Sequence, residues 1–327
     1  MSEQKLTAKI IGVGKALPEK RLTNADLEKM VDTNDAWITQ RVGIKERRIA
    51  AEGEYTSDLS TRAAQNALKQ AGIPANQLDM IIVATSTPDT VYPSTACIVQ
   101  KNIGATHAAV LDISSACSGF IYGASLAWGM ISSGAMKNIM VIGAELNSNI
   151  LNWTSRDTCI LFGDGAGAAI FSACDPAEGG MIAFKIGGDG TYDDLLKIVN
   201  SGCKKHPEFD GRYITMHGNE VFKQAVRTMY DCAVCVLDRA GLAPQDVSLL
   251  IPHQANIRII DAVARRLELP SEKVFVNIEK YGNTTAGTIP IALCEALEQN
   301  RIRKGDIILM DAFGAGLTWG AFVMRWA

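Results

Sequence analysis

The chain reads as an α/β protein built from one unit used twice. Apolar runs bounded by turn residues alternate along it with amphipathic stretches, the pattern of strands and helices laid down in turn. A shift of 169 residues then drops ALKQAGIPANQLDMIIVAT (67–85) onto VLDRAGLAPQDVSLLIPHQ (236–254), within the stretch CVLDRAGLAPQDVSLLIPHQ (235–254), without a gap. Ala71-Gly72-Ile73 meets Ala240-Gly241-Leu242, each a helix end with Gly as its cap. Leu78 meets Val247, and Ile81-Ile82 meets Leu250-Ile251. At the same shift Cys117 falls on Ala286, and both lie in small-residue segments that open helices, SSACSGF and NTTAGTI. The strands 139–142 and 307–310 follow, offset by one residue less.

Each element follows from its own residues. Thr61–Ala71 places Ala63, Ala64, Ala67, Leu68 and Ala71 on one helix face. Strand-like runs follow at Met80–Ala84, Ala109–Ile113, Ile139–Gly143 and Ala168–Phe171. The second half opens with a helix over Val221–Leu237, with Val221, Ala225, Met229, Ala233 and Val236/Leu237 inward. Its strands are Leu249–Ile251, Ile307–Met310 and Ala321–Met324. The expected divisions are a first half over 1–175, a Gly-rich connection over 176–215 and a second half over 216–327.

Composition bounds the function. Of 327 residues, 47% are hydrophobic and 20% charged, an ordinary globular balance that excludes disorder and low-complexity classes. The 32 basic and 35 acidic side chains leave a net charge of −3, so no global basic field for nucleic acid exists. No apolar run approaches the roughly 18 residues of a membrane span. The opening MSEQKLTAKIIGVG is polar where a secretory leader would be apolar, which predicts a cytoplasmic protein. The eight cysteines are expected to be reduced in such a setting. Cys232 and Cys235 form a CxxC inside a helical pattern with no second ligand pair nearby, so core packing rather than a metal is expected there.

Three polar residues stand out. Cys117 follows a strand end and a tight turn and precedes an apolar helix, an environment in which free N–H groups and the helix dipole favour thiolate. A buried core cysteine is the competing reading. His253 follows the apolar run SLLIP, at the carboxyl end of a strand where α/β proteins form their sites. A structural histidine remains open. Asn283, in KYGNTTAGTIPIAL, reads as readily as a turn or cap residue. FGAG (313–316) is a Gly-rich turn whose backbone N–H could face a reacting carbonyl. FGDGAGAAIF (162–171) lacks the helix that a dinucleotide fingerprint requires.

ACSGF, PHQAN and YGNTTAGTIPIAL together make the chain resemble the β-ketoacyl-acyl carrier protein synthase III family, the initiating condensing enzymes of bacterial fatty-acid synthesis. DTNDAWITQRVGIKERRI, GDGAGAAIF, GNEVFK and FGAGLTWG extend the resemblance over essentially the whole chain. It implies a duplicated thiolase-like fold of five layers, α-β-α-β-α. It also implies an acyltransferase that joins an acyl-CoA primer to malonyl-acyl carrier protein through an acyl-cysteine. Cys117 would be the nucleophile, and His253 and Asn283 would hold the malonyl thioester oxygen. The N–H groups of Cys117 and Ala315 would form a second oxyanion hole. Coenzyme A contacts carry over to Trp37, Arg41, Arg156, Gly218 and Asn256, and carrier-protein docking to Arg258, Arg265 and Arg266. These three arginines share one side of a helix expected to bury Ile257, Ile260, Val263 and Leu267. A homodimer is implied, with no cofactor beyond the coenzyme A thioester substrate and no metal.

Three departures concern the primer. Ala315 stands where the family commonly has Gly, Tyr92 stands where an acetyl-selective member has Phe at the acyl pocket, and LNWTSRDTC (151–159) is unusual around Arg156. A degradative thiolase would need a second reactive Cys where Phe313-Gly314-Ala315 stands, and a hydroxymethylglutaryl-CoA synthase an acid where Ser86 stands. A starter-condensing enzyme of polyketide or quinolone assembly shares the triad. A papain-like Cys-His-Asn hydrolase lacks its sequence context here, and a non-catalytic partner subunit would typically lack the nucleophile.

Overall fold

The structure, a computed structural model, describes residues 6–327; the polar residues 1–5 of the opening stretch lie outside them. The first half folds into a five-stranded sheet in the order Thr7–Ala16, Gly165–Cys174, Asn138–Glu145, Met80–Ala84, Ala109–Ile113. The second forms a four-stranded sheet in the order Leu249–Pro252, Ile307–Gly314, Thr318–Arg325, Gly180–Gly188. In the first sheet the last three strands of that order pair in parallel and the first two antiparallel; in the second only Leu249–Pro252 and Ile307–Gly314 pair in parallel. The stretch 176–215 therefore contributes a strand, Gly180–Gly188, to the second sheet, and a two-stranded ribbon of Leu196–Ile198 with Ile214–Met216. FGDGAGAAIF runs into the strand Gly165–Cys174 rather than a helix.

The central strands are apolar on both faces, as strands covered on both sides must be. Ile82, Val141, Ile308 and Met310 face the middle of the molecule, where they pack with Phe120, Ile121, Ile289 and Leu293 of the helices Gly119–Ser132 and Thr288–Glu298. Ile81, Met140 and Ile142 face outward onto the helices Thr56–Ala71 and Thr95–Ile103. Ile307, Leu309 and Val323 face outward onto Gly218–Ala240 and Ile257–Arg266. The result is five layers, helix and sheet alternating, with the middle layer shared by both halves.

The duplication is closer than the sequence suggests. Asn138–Glu145 and Ile307–Gly314 are each 8 residues long and begin 169 residues apart. Met80 pairs with Ile139 and Leu249 with Ile308, so the expected one-residue offset is absent. It arose because Ile307 extends the apolar run where its counterpart is the polar Asn138. Gly72 and Gly241 both cap their helices in the left-handed region, at φ 68° and 67°. A second correction concerns the helix Ile257–Arg266, which buries Ile259, Ile260, Val263 and Ala264, with Leu267 just beyond it. Ile257 is only half-buried, because it sits at the helix start against Gly43.

Among the described residues no helix is long and apolar enough to cross a membrane. Nor do three or more His, Cys, Asp or Glu side chains there gather where they could hold a metal ion. Cys232 packs into the outer core of the second half, as expected, while Cys235 is half-buried.

Candidate active site

Two turns, one from each half, meet at the seam between the sheets. The first, Ala116–Ser118, precedes the helix Gly119–Ser132 and carries Cys117; the second, Thr285–Gly287, precedes Thr288–Glu298. Ala116 (φ 45°) and Thr285 (φ 51°) occupy equivalent positions, and both adopt the left-handed backbone that residues with a side chain avoid. Each turn abuts the opposite half. A Cβ on Gly143 would lie 2.0 Å from the Ala286 carbonyl oxygen, and one on Gly314 would lie 2.7 Å from the Cys117 nitrogen. No side chain fits at either crossing.

Cys117 is 6% exposed. Burial pushes its thiol up to about 12, the Glu145 carboxylate acts in the same direction, and backbone and Asn283 hydrogen bonds oppose both. This corrects the expectation of a resting thiolate: the helix begins only at Gly119, and desolvation outweighs its dipole. Glu145 is itself buried, which raises it to about 7. It accepts hydrogen bonds from the Thr87 hydroxyl (2.8 Å) and the Ser86 N–H (2.9 Å).

The Asn283 amide acts on the Cys117 thiol, pulling its pKa down against the effect of burial. Its orientation is set by its neighbours. The Thr285 N–H donates to Asn283 Oδ1 at 2.8 Å, which leaves Nδ2 as the donor directed into the site. Asn147 secures the same turn, donating to the carbonyls of Gly163 (2.8 Å) and Asn283 (3.2 Å) and accepting from the Thr285 hydroxyl (3.1 Å). His253 follows the strand Leu249–Pro252, and its N–H donates to the Asp311 carbonyl at 2.8 Å. Its ring is linked to the second turn, with Nδ1 2.6 Å from Thr288 Oγ1. Burial pushes His253 down to about 3, so its imidazole is neutral near pH 7.

A cavity of about 660 Å³ opens from this seam, lined by Cys117, Asn147, Phe162, Thr285, Ala315 and residues of the loop 85–91. Ala315 thus shares a wall with Cys117. Its turn is held by the Thr318 hydroxyl, 2.9 Å from the Ala315 carbonyl, 3.1 Å from the Ser115 carbonyl and 2.8 Å from Ser118 Oγ. Tyr92 lies farther out on that loop, 86% exposed beside Val91.

The residues expected at coenzyme A fall in two places. Arg41 and Arg156 both lie over the Trp37 ring, each 5.2 Å from its centroid, so these three form one cluster. Gly218 starts the long helix of the second half, and Asn256 caps the helix Ile257–Arg266 by accepting from the Arg258 N–H at 2.9 Å. The Asn256 amide nitrogen takes no part in that cap. Of the three arginines expected at a carrier protein, Arg258 lies over Phe222 (5.7 Å) and Arg266 over Tyr230 (4.7 Å). Arg265 instead donates to the Asp261 carbonyl of its own helix at 3.3 Å.

Sequence reasoning missed Glu145, Asn147, Thr288 and Thr318. Thr288 and Thr318 lie inside the motifs YGNTTAGTIPIAL and FGAGLTWG but drew no notice there, and Glu145 and Asn147 lie in no motif. The 169-residue shift could have exposed Thr288, because it sets Thr288 opposite Gly119 beside the reactive turn.

Family models for 3-oxoacyl-[acyl-carrier-protein] synthase III match residues 111–190, and for its C-terminal part residues 237–326. The chain is 52% identical over 329 residues to a β-ketoacyl-[acyl-carrier-protein] synthase III of Caldanaerobacter subterraneus subsp. tengcongensis, covering 99% of each chain. It belongs to that family. The synthase III crystal structure from Aquifex aeolicus superposes with a TM-score of 0.93 at 50% identity, covering 98% of this chain and 100% of that one. The five-layered thiolase-like architecture is therefore that of the synthase III family. The priming β-ketosynthase of the R1128 polyketide pathway has the same fold, with a TM-score of 0.94, but only 30% identity over 100% of this chain and 98% of that one.

Proposed function

We infer that the protein initiates fatty-acid synthesis, condensing an acyl-CoA primer with malonyl-acyl carrier protein to give 3-oxoacyl-acyl carrier protein. The observation that carries this is the seam itself. A buried thiol from one half sits on a turn that abuts the other half, where the turn that follows Asn283 leads into Thr288, the partner of a neutral His253. The identity of about 50% to synthase III proteins, against 30% to the polyketide priming enzyme, supports the fatty-acid role.

Each step uses groups of this chain. The Cys117 sulfur attacks the primer thioester, and its proton leaves with the departing coenzyme A thiol, so no standing thiolate is needed. The Cys117 and Ala315 N–H groups are the proposed donors for the tetrahedral oxyanion. Malonyl-acyl carrier protein then loses carbon dioxide. The resulting enolate oxygen is held by two neutral donors, His253 and the Asn283 amide, and a neutral imidazole suits that task because it donates without taking up a proton. The enolate carbon attacks the acyl-cysteine carbonyl, and the released Cys117 thiolate takes up one proton.

Trp37, Arg41 and Arg156 are proposed to take the nucleotide end of coenzyme A, with Arg156 swinging off the indole to admit the adenine. Gly218 and the Asn256 amide flank the pantetheine arm. Arg258, Arg265 and Arg266 are proposed to meet the acidic carrier protein. A cytoplasmic homodimer belongs to the same reading. The free edge of the strand Ala109–Ile113, where Leu111 is 37% exposed, and the exposed Val91 and Tyr92 support a second copy seated there. Tyr92 would then wall the partner's acyl pocket.

The test is mass spectrometry after acetyl-CoA treatment. An adduct of about 42 Da on Cys117, followed by carbon dioxide release from malonyl-acyl carrier protein, is the expected result, and C117A loses the adduct. Free acid without a condensation product would replace this reading with a hydrolase.

A further inference from the structure

We propose that Thr288 is a positioning residue that fixes the tautomer of His253, holding its proton on Nε2 so that the imidazole presents a donor to the enolate oxygen. This rests on the condensing reading above and adds a residue to it. The separation of 2.6 Å between Thr288 Oγ1 and His253 Nδ1 is a close hydrogen bond, so the Thr288 hydroxyl and the ring share one proton-bearing contact. The Thr288 hydroxyl has one proton and two acceptors in reach, Nδ1 at 2.6 Å and the Thr285 carbonyl at 3.2 Å. Nδ1 is the nearer acceptor, and the proton is assigned to it. A neutral imidazole that accepts at Nδ1 carries its hydrogen on Nε2. Had the hydroxyl turned to Thr285, Nδ1 would donate, and Nε2 would offer a lone pair that repels an enolate oxygen.

The duplication supports this independently of that distance. Shifted by 169 residues, Ala84 falls on His253 and Gly119 on Thr288. In the first half a Cβ on Gly119 would lie 2.8 Å from Ala84 Cβ, so the strand end and the helix start touch there with no polar group at either position. The second half makes the same contact with an imidazole and a hydroxyl. The fold therefore dictates that these two positions meet, and only in the half that carries the donor pair does the contact set a proton. Asn283 is oriented within the same stretch, 283–288, through the Thr285 N–H. One segment thus aims both donors.

The test uses the full-length enzyme, its histidines labelled with ¹⁵N, together with T288V and T288S. Wild-type His253 is expected to show the pyrrole-type nitrogen at Nε2. T288V should lose that bias and slow malonyl decarboxylation by at least about tenfold, a part of the loss expected for a missing oxyanion donor. Acetyl transfer to Cys117 should fall less than decarboxylation, and T288S should restore both the spectrum and the rate. A wild-type proton on Nδ1, or a folded T288V that decarboxylates at the wild-type rate, overturns the proposal. If T288V fails to fold, the wild-type spectrum and T288S still decide it. A wild-type enzyme that forms no acetyl-Cys117 would sink the condensing reading instead, while the tautomer is judged from the spectrum alone.

Discussion

The two halves share a chain path and differ in what they place along it. At equivalent positions the first half has Ala84, Gly119 and Ile142 where the second has His253, Thr288 and Asp311. On the proposed function, the first half supplies the nucleophile on a turn of small residues, and the second supplies the polar groups that handle charge. Duplication gave two copies of a strand end facing a helix start. Dividing acyl attachment from enolate binding then required side-chain changes and no new backbone.

The sharpest way to break this division is at the donors. H253A and N283A should each lower malonyl decarboxylation by about 10²–10³ while acetyl-Cys117 still forms. Equal losses in both partial reactions would mean that the second half also serves the first step.

Packing at the shared contact comes next. G119A puts a methyl group 2.8 Å from Ala84 Cβ and should cost about 1–3 kcal/mol by overpacking. G129A, on the same helix with nothing within 4 Å, should stabilise by about 0.5–1 kcal/mol. Thermal melts of the two variants should move in opposite directions.

Asp311 offers a comparison read through pH. Ile142 buries an alkyl chain, whereas Asp311 buries a carboxyl with no hydrogen-bond partner on either oxygen among the described residues, and burial raises it to about 8. A folded pKa above the unfolded value of 3.8 means stability from this group is fully present below 3.8 and is lost as pH rises through 8. D311N removes that dependence. Its melting curve should gain on the wild type between pH 6 and pH 8, by about 1–3 kcal/mol. A constant difference across that range would show that Asp311 does not titrate there.

Much of this was legible before any coordinates. Cys117, His253 and Asn283 sit in short motifs, and the 169-residue shift placed them on facing segments of a repeated unit. The resting state of Cys117 was not legible, because desolvation depends on what surrounds the sulfur rather than on its helix. Glu145 and Asn147 lie in the polar-looking stretch ELNSN, and only folding brings them under Cys117 and against the second turn. The register of the strand Asn138–Glu145 was misjudged because a polar residue at its first position hides the start of the strand. Ile257 was misplaced for a related reason: at a helix start, periodicity does not decide which side is covered.

The middle layer has a consequence for the integrity of the molecule. The helices Gly119–Ser132 and Thr288–Glu298 share one apolar cluster with the inner faces of both sheets. Either half alone would leave that whole surface wet, so neither should persist as a solitary soluble species.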